Sequence, residues 1–394
     1  LKDSSRLDTA GLANAIDLDS YEIRIADLTE IKHVFENAAV FGSLITIPSE
    51  LNKKLPALRR LCPRKGEGII GLEALKTLNE LVRQAEFLSM QYDAVVTNPP
   101  YMGSGGMNSE LKRFAGDKFS QSKSDLFSIS AERFILLTKE RGLLGLMTPF
   151  TWMFLKSYES LRRLLAISNT LRSLVQPEYH AFFDSAFVPI CTFVVQPLRV
   201  KGYKASFIRL EGFYGADLQP KKALEAISNP KCSWRYTFPP DDFESIPGFP
   251  IVYWTTKPLL SLFQKTDSIQ RVASVKAGMA CSDNNRFLRF WSEVSHSNCS
   301  PPVSKDGTPP NATATWFPYN KGGGFRRWYG CSEYVINWRD DGRDIKEWVV
   351  SNPNDPNTNH WSRRIPNSDF FFKECITWGE VTSSEPSFRY LPSG

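Results

Sequence analysis

The sequence predicts an α/β sheet domain followed by a second, mixed and β-rich domain. Two observations carry this. Between Tyr92 and Val195, short apolar runs rich in β-branched residues alternate with amphipathic stretches, the pattern of a sheet covered by helices on both faces. After about Val200 the composition changes, with Pro220, Pro230, Pro239, Pro240, Pro247, Pro250 and Pro258 punctuating a stretch without long helices. The 394 residues exceed what one core ordinarily serves and suggest two or three domains. The expected division is a helical region at 1–90, an α/β core at 91–200, a linker at 201–250 and a second domain from 251 to 394, cut short at its end.

The elements follow in order. Leu28 to Ala39 and Leu72 to Ala85 carry apolar residues at helical spacing. Tyr92 to Thr97 reads as a buried strand, stopped by Pro99 and Pro100 because proline has no ladder donor. A loop follows with glycines at 103, 105 and 106, then an amphipathic helix from Asp125 to Lys139. Gly142 to Met147 reads as a strand closed by Thr148-Pro149, Tyr158 to Ile167 as a helix, and Thr170 to Val175 and Val188 to Val195 as strands. Residues 300–315 and 351–368, rich in Pro, Asn, Ser and Thr, read as loops. No fixed-period repeat is present.

Apolar residues make up 42% and charged residues 23% of the chain, ordinary values for a globular protein. Aromatics reach 13%, and nine of the ten tryptophans lie beyond Lys201, so the second domain is the aromatic-rich one. The net charge of +6 and pI near 8.8 fit a polyanionic partner without requiring one. The densest basic stretch, Lys53 to Lys65 with Lys54, Arg59, Arg60 and Arg64, reads as a solvated face. The seven cysteines (62, 191, 232, 281, 299, 331, 375) contain no Cys-x-x-Cys pair. That argues against zinc and disulfides and for a reducing cytoplasm. His33, His180, His296 and His360 make no metal-spaced cluster, so no metal site is expected. No apolar run approaches the ~18 residues of a membrane span. Leu1 and Gly394 read as cut ends.

Chemistry concentrates at Asn98-Pro99-Pro100-Tyr101. The 6-amino nitrogen of adenine is a poor nucleophile because its lone pair is delocalised into the ring. Two acceptors beside its hydrogens favour rehybridisation and stabilise the developing positive charge. The Asn98 side-chain oxygen and the Pro99 carbonyl suit that task, held in advance by the fixed φ of Pro99 and Pro100. Tyr101 offers a ring on which an extruded base can stack. A chance match is expected in about one chain of this length in a hundred, so the pattern weighs against a plain strand-ending turn.

The segment Asn98 to Asn108 resembles the active-site loop of the PglX-type methyltransferases of BREX phage-defence systems, relatives of the type IIG restriction-modification enzymes. The resemblance includes Phe41-Gly42-Ser43-Leu44-Ile45, Asp125-Leu126-Phe127, Gly145 to Trp152, Asp283 to Arg289 and Trp316 to Tyr329, and runs from about residue 25 to 394. It implies a class I methyltransferase, Rossmann-like sheet and a target-recognition domain reading double-stranded DNA. It also implies S-adenosylmethionine as cofactor and possible partners among other phage-defence proteins. By that likeness Asp125, Leu126 and Phe127 help line the cofactor and base pocket, although Asp125 also reads as a plain helix cap.

The sequence departs from the family in one respect. The Gly-rich cofactor loop that the family places before Asn-Pro-Pro-Tyr is not found, nor is an acidic residue ending a second strand. The N-terminal part of the sheet is therefore expected to be missing, and the chain alone to be inactive. In the second half, Lys321, Arg326, Arg327 and Trp328, beside Gly322 to Gly324, form the expected DNA-contacting segment, joined by Arg286 and Arg289. Glu30-Ile31-Lys32 has the form of a nuclease motif but lies on an amphipathic helix without a spaced partner and reads as surface charge. Two other functions stay open: methylation of protein glutamine or RNA with the same loop, or a non-catalytic DNA-binding module.

Overall fold

The computed structural model describes residues 1–62, 72–180, 189–300, 313–322, 325–355, 358–379, 385 and 387–392. Arg64 and Lys65 of the basic stretch, the 301–312 part of the predicted loop, and Gly323 and Gly324 lie outside the described residues. The chain divides into two compact units, Leu1–Thr266 and Asp267–Gly394.

The first unit begins with helices α1 (Thr9–Ala15), α2 (Ile25–Val34), α3 (Ala38–Phe41), α4 (Ser49–Leu61) and α5 (Leu72–Ser89). Their 3–4 spacing of apolar residues buries Leu28, Ile31, Leu51, Leu58, Leu78, Leu81 and Val82 in one core. The helix expected to run from Leu28 to Ala39 instead stops at Val34 and resumes at Ala38.

A six-stranded sheet follows: β1 (Tyr92–Thr97), β2 (Thr138–Pro149), β3 (Thr170–Gln176), β4 (Ile190–Gln196), β5 (Ala205–Arg209) and β6 (Arg235–Phe238). Its order is β1-β2-β4-β3-β5-β6. β1 and β2 are parallel, as are β3 and β5, while β4 runs antiparallel to both of its neighbours. The fold is thus α/β with a mixed sheet. Helices α6 (Ser109–Lys118) and α7 (Leu126–Leu137) connect β1 to β2, and α8 (Glu159–Arg163) with a π turn at Leu164–Ser168 leads to β3. The stretch expected as a helix from Tyr158 to Ile167 is helical throughout, its last turn widened to a π turn. The core beneath the sheet gathers Phe127, Leu144, Leu146, Trp152, Leu165, Leu171, Leu174, Phe193 and Phe207.

Two expectations are corrected here. Among the described residues β1 pairs with β2 alone, and Val96 on it is 83% exposed. The expectation of a buried strand is not met, since none of its six residues is buried. The stretch 201–250 is no linker. It holds β5, α9 (Leu218–Ser228) and β6, with Ala205 and Phe207 fully buried. Prolines mark its turns, while the alternation within β5 is too short to stand out in sequence. The unit boundary falls after α10 (Lys257–Lys265), at Thr266.

Buried arginines tie the first unit together. Arg133 donates to the carbonyls of Ile45 and Leu88, joining the helical segment to α7. Arg162, wholly buried, donates to the carbonyls of Trp152 (2.5 Å), Leu155 (2.7 Å) and Gly248 (2.6 Å). Burial lowers its pKa to about 10, yet it remains protonated at neutral pH.

The second unit contains α11 (Asn284–Phe287), β7 (Leu288–Phe290), β8 (Trp316–Tyr319), β9 (Tyr334–Asn337), α12 (Arg339–Ser351), β10 (Cys375–Trp378) and β11 (Phe388–Leu391). The first three strands form an antiparallel sheet ordered β7-β9-β8, and β10 pairs with β11. Its core holds Phe287, Phe317, Ile336, Trp338, Ile345 and Val349. α12 interrupts the irregular, β-rich reading of this region. Near its start Asp340, Asp341 and Gly342 take left-handed φ, and a Cβ at 342 would lie 2.7 Å from the Trp338 ring.

Candidate active site

Parallel pairing places the carboxyl ends of β1 and β2 on one rim of the sheet, and the antiparallel step through β4 brings the ends of β3 and β5 to the same rim. In open α/β sheets that rim is where ligands bind. Asn98 leaves β1 there. Asn98, Pro100 and Tyr101 are exposed and Pro99 is buried.

The Tyr101 hydroxyl donates to Asn98 Oδ1 at 2.6 Å and lies 3.3 Å from the carbonyl of Met147 at the end of β2. Its ring meets the edge of Phe127 at 6.4 Å with planes at 90°, and Phe127 in turn packs on Tyr158 at 5.4 Å. Burial raises the Tyr101 pKa, so the hydroxyl keeps its proton and acts as a donor.

The loop after Tyr101 is stapled to the start of α7. Leu126 N–H donates to the Met102 carbonyl (2.9 Å) and Ser104 N–H to the Ser124 carbonyl (3.0 Å). Asp125 caps α7: its Oδ1 accepts from Phe127 N–H and from Met102 N–H, both at 3.1 Å. Partial burial raises the Asp125 pKa, opposed by its backbone hydrogen bonds. Tyr158 is pushed up to about 12, first by burial and then by the Asp125 charge.

These contacts place Asp125, Leu126 and Phe127 beside Tyr101. Asp125 faces the loop backbone, Leu126 is half-buried against a small apolar cluster under α6, and Phe127 is 1% exposed in the core. One carboxylate oxygen is committed to two amides and the Phe127 ring is enclosed. The second carboxylate oxygen of Asp125 is not engaged by these two amides, and Asp125 and Leu126 stay partly accessible. Sequence reasoning missed Met147 and Tyr158, because a backbone carbonyl and a long-range ring contact leave no local signal.

In the second unit the predicted cations are engaged. Arg326 pairs with Glu333 (3.2 Å) and Arg327 with Glu385 (3.0 Å). Lys321 sits over the Tyr334 ring at 4.9 Å and Arg286 over Trp348 at 4.4 Å. Arg289 lies on β7 and donates to the carbonyls of Asn285 and Leu288. Trp328 is 69% exposed beside Phe325 and Tyr329. Exposed ion pairs are weak and exchange readily, so a stronger anion can displace them. Among the described residues no cluster of His, Cys, Asp or Glu has the arrangement of a metal site, and no helix is long and apolar enough to cross a membrane.

Residues 15–183 match the family of Eco57I restriction-modification methylases. The adenine-specific methyltransferase PglX of Lacticaseibacillus casei (strain Zhang) is 34% identical over 386 residues, covering 95% of this chain and 31% of that protein. The adenine-specific methyltransferase BrxX of Escherichia coli O9:H4 (strain HS) is 34% identical over 390 residues, covering 98% of this chain and 30% of that protein. The type II restriction enzyme and methyltransferase RM.Eco57I of Escherichia coli is 25% identical over 168 residues, 39% of this chain and 17% of that protein. The chain spans about a third of the length of the first two relatives. It is therefore a homologue, along nearly its whole length, of one segment of the PglX- and BrxX-type adenine-specific methyltransferases.

Proposed function

We propose that this chain supplies the target-base side of a DNA methyltransferase that moves a methyl group from S-adenosylmethionine to the 6-amino group of adenine in duplex DNA. The observation that carries this reading is the exposed Asn98 side chain at the rim of the sheet, with the Tyr101 hydroxyl 2.6 Å from its oxygen. An extruded adenine amino group would take over Asn98 Oδ1 from that hydroxyl, with the Pro99 carbonyl as second acceptor, and the base would lie against the Tyr101 ring. Asp125 holds the loop through Met102, so the tyrosine is positioned before the base arrives. The methyl donor is an activated sulfonium, so no nucleophilic side chain is called for. Asp125, Leu126 and Phe127, beside Tyr101, are proposed to contribute to its pocket.

The second unit is proposed to read DNA through the segment from Lys321 to Tyr329, with Arg286 and Arg289. Exposed Trp328 and the exchangeable pairs of Arg326 and Arg327 support that role. A role in restriction-modification or BREX defence beside other defence proteins, in the cytoplasm, belongs to the same proposal. The test is transfer of labelled methyl from S-adenosylmethionine to adenine in a pool of phage-genome duplexes, using the complete reading frame and its Asn98→Ala variant. Label on adenine that the variant abolishes supports the reading. Label on glutamine peptides or RNA instead would move it to those substrates.

A further inference from the structure

The segment between Tyr101 and α7 is a closed excursion. It leaves the loop at Ser104 and returns at Ser124, where the Ser104 N–H to Ser124 carbonyl bond (3.0 Å) joins its two ends. Helix α6 fills the excursion and so cannot lie far from Asn98 and Tyr101. Asn108 caps it, accepting from Leu111 N–H at 2.8 Å, which satisfies that helix end within the chain.

One face of α6 is apolar. Met107, Leu111, Ala115 and Phe119 are buried with Leu44 and Ile129, and Phe114 stacks on Phe41 at 4.1 Å. The other face and the following turn are basic: Lys112, Arg113, Lys118 and Lys123 are all exposed. Among the described residues none of the four makes an ion pair. The acids on this segment are Glu110 and Asp117, at helix spacings that would suit Arg113, yet neither is paired with it. Four unpaired cations against two acids, on the only polar face of a helix stapled beside the candidate base site, fit a phosphate backbone better than a salt-bridged surface.

We propose that α6 and the turn to Lys123 grip the DNA phosphates flanking the extruded adenine, steering the duplex onto the Asn98 rim. This rests on the proposed function and adds the partner surface of that site. No base edge is read here: the contacts position the strand and carry no sequence preference.

The test is DNA binding by the 394-residue chain, measured by fluorescence anisotropy of a labelled duplex over a series of KCl concentrations. Each phosphate contact contributes about 0.9 to the slope of log affinity against log salt. Lys112→Ala, Arg113→Ala, Lys118→Ala and Lys123→Ala combined should flatten the slope by about 2 to 4 and weaken binding about 100-fold or more near 0.1 M salt. Glu110→Gln with Asp117→Asn, which removes the competing acids, should tighten binding about 3-fold or more. Asn98→Ala should leave the slope unchanged, since it removes no charge. An unchanged slope in the lysine and arginine variant, with its circular dichroism and melting intact, overturns the phosphate surface and leaves the methyltransferase reading standing. Should that variant unfold, the acid-to-amide variant decides: unchanged or weaker binding overturns the surface. Failure of the wild-type chain to bind duplex at low salt overturns it as well. Absence of adenine methylation by the complete wild-type protein, with the salt response of the chain as expected, sinks only the catalytic reading.

Discussion

Asp125→Ala probes how the candidate loop is held. Asp125 Oδ1 receives Phe127 N–H, the helix cap, and Met102 N–H, the loop anchor, each at 3.1 Å. A hydrogen bond to a buried charged acceptor contributes about 1.5–3 kcal/mol. This carboxylate is only half-buried, so each bond is taken at about 1 kcal/mol after solvent screening, and the two at about 2 kcal/mol. For a unit of this size that predicts a melting temperature lower by about 4–8 °C. Asp125→Asn keeps a neutral acceptor in the same place and should lose less than about 1 kcal/mol. Hydrogen exchange adds a local readout, because the Met102 and Ser104 amides should exchange faster in the alanine variant and not in the asparagine variant. The pH dependence has a definite sign. The folded pKa of Asp125 is raised above 3.8 by burial. The folded state therefore holds its proton longer than the unfolded chain, and this group's contribution to stability is present below 3.8 and lost as pH rises through the raised value. Across that window Asp125→Asn should gain stability relative to the wild type. An asparagine variant as damaged as the alanine one, or a difference that runs the other way with pH, would refute the proposed clip.

Other outcomes follow from the same structure. Gly142→Ala would set a methyl 2.7 Å from the Asp93 carbonyl oxygen and 2.9 Å from that of Tyr92, so β1 must shift. A loss of about 2 kcal/mol by urea denaturation is expected. Arg162→Met strips the donor from the buried Trp152 carbonyl and from the part-buried carbonyls of Leu155 and Gly248, and should cost about 3 kcal/mol in the same assay, whereas a near-neutral result would mean that water replaces them. Tyr101→Phe keeps the ring and removes the donor to Asn98, so methyl transfer by the complete protein should stay within about 10-fold. Tyr101→Ala should fall about 10- to 100-fold, by the stacking lost. Arg326→Ala with Arg327→Ala should flatten the salt dependence of DNA binding by about 2 if both side chains exchange their glutamates for phosphates, and leave it unchanged if they do not.

Local signals in the sequence were enough to locate the candidate site and its strand. Asn98 to Tyr101 combine a strand end, two fixed φ angles and an aromatic, all within four residues, so their pattern survives without tertiary information. The helix cap at Asp125 and the strand from Tyr92 to Thr97 are local in the same sense. The amphipathic helices of the first 90 residues were legible because each buries one face at a fixed period.

Tertiary structure alone decided what depends on contacts between distant segments. Apolar composition does not say how many neighbours a strand has; among the described residues β1 has one, and Val96 on it is exposed. Short strands among prolines, such as Ala205–Arg209, become strands because a neighbouring strand supplies their hydrogen bonds. The acids that meet Arg326 and Arg327, the Met147 carbonyl near Tyr101, and the bond that folds α6 back beside the candidate site join residues up to 58 positions apart. Sequence specifies which groups a segment carries, through rules that act within a turn or a strand. Which of those groups meet depends on closing long loops around a shared core, and that is settled by packing over the whole unit.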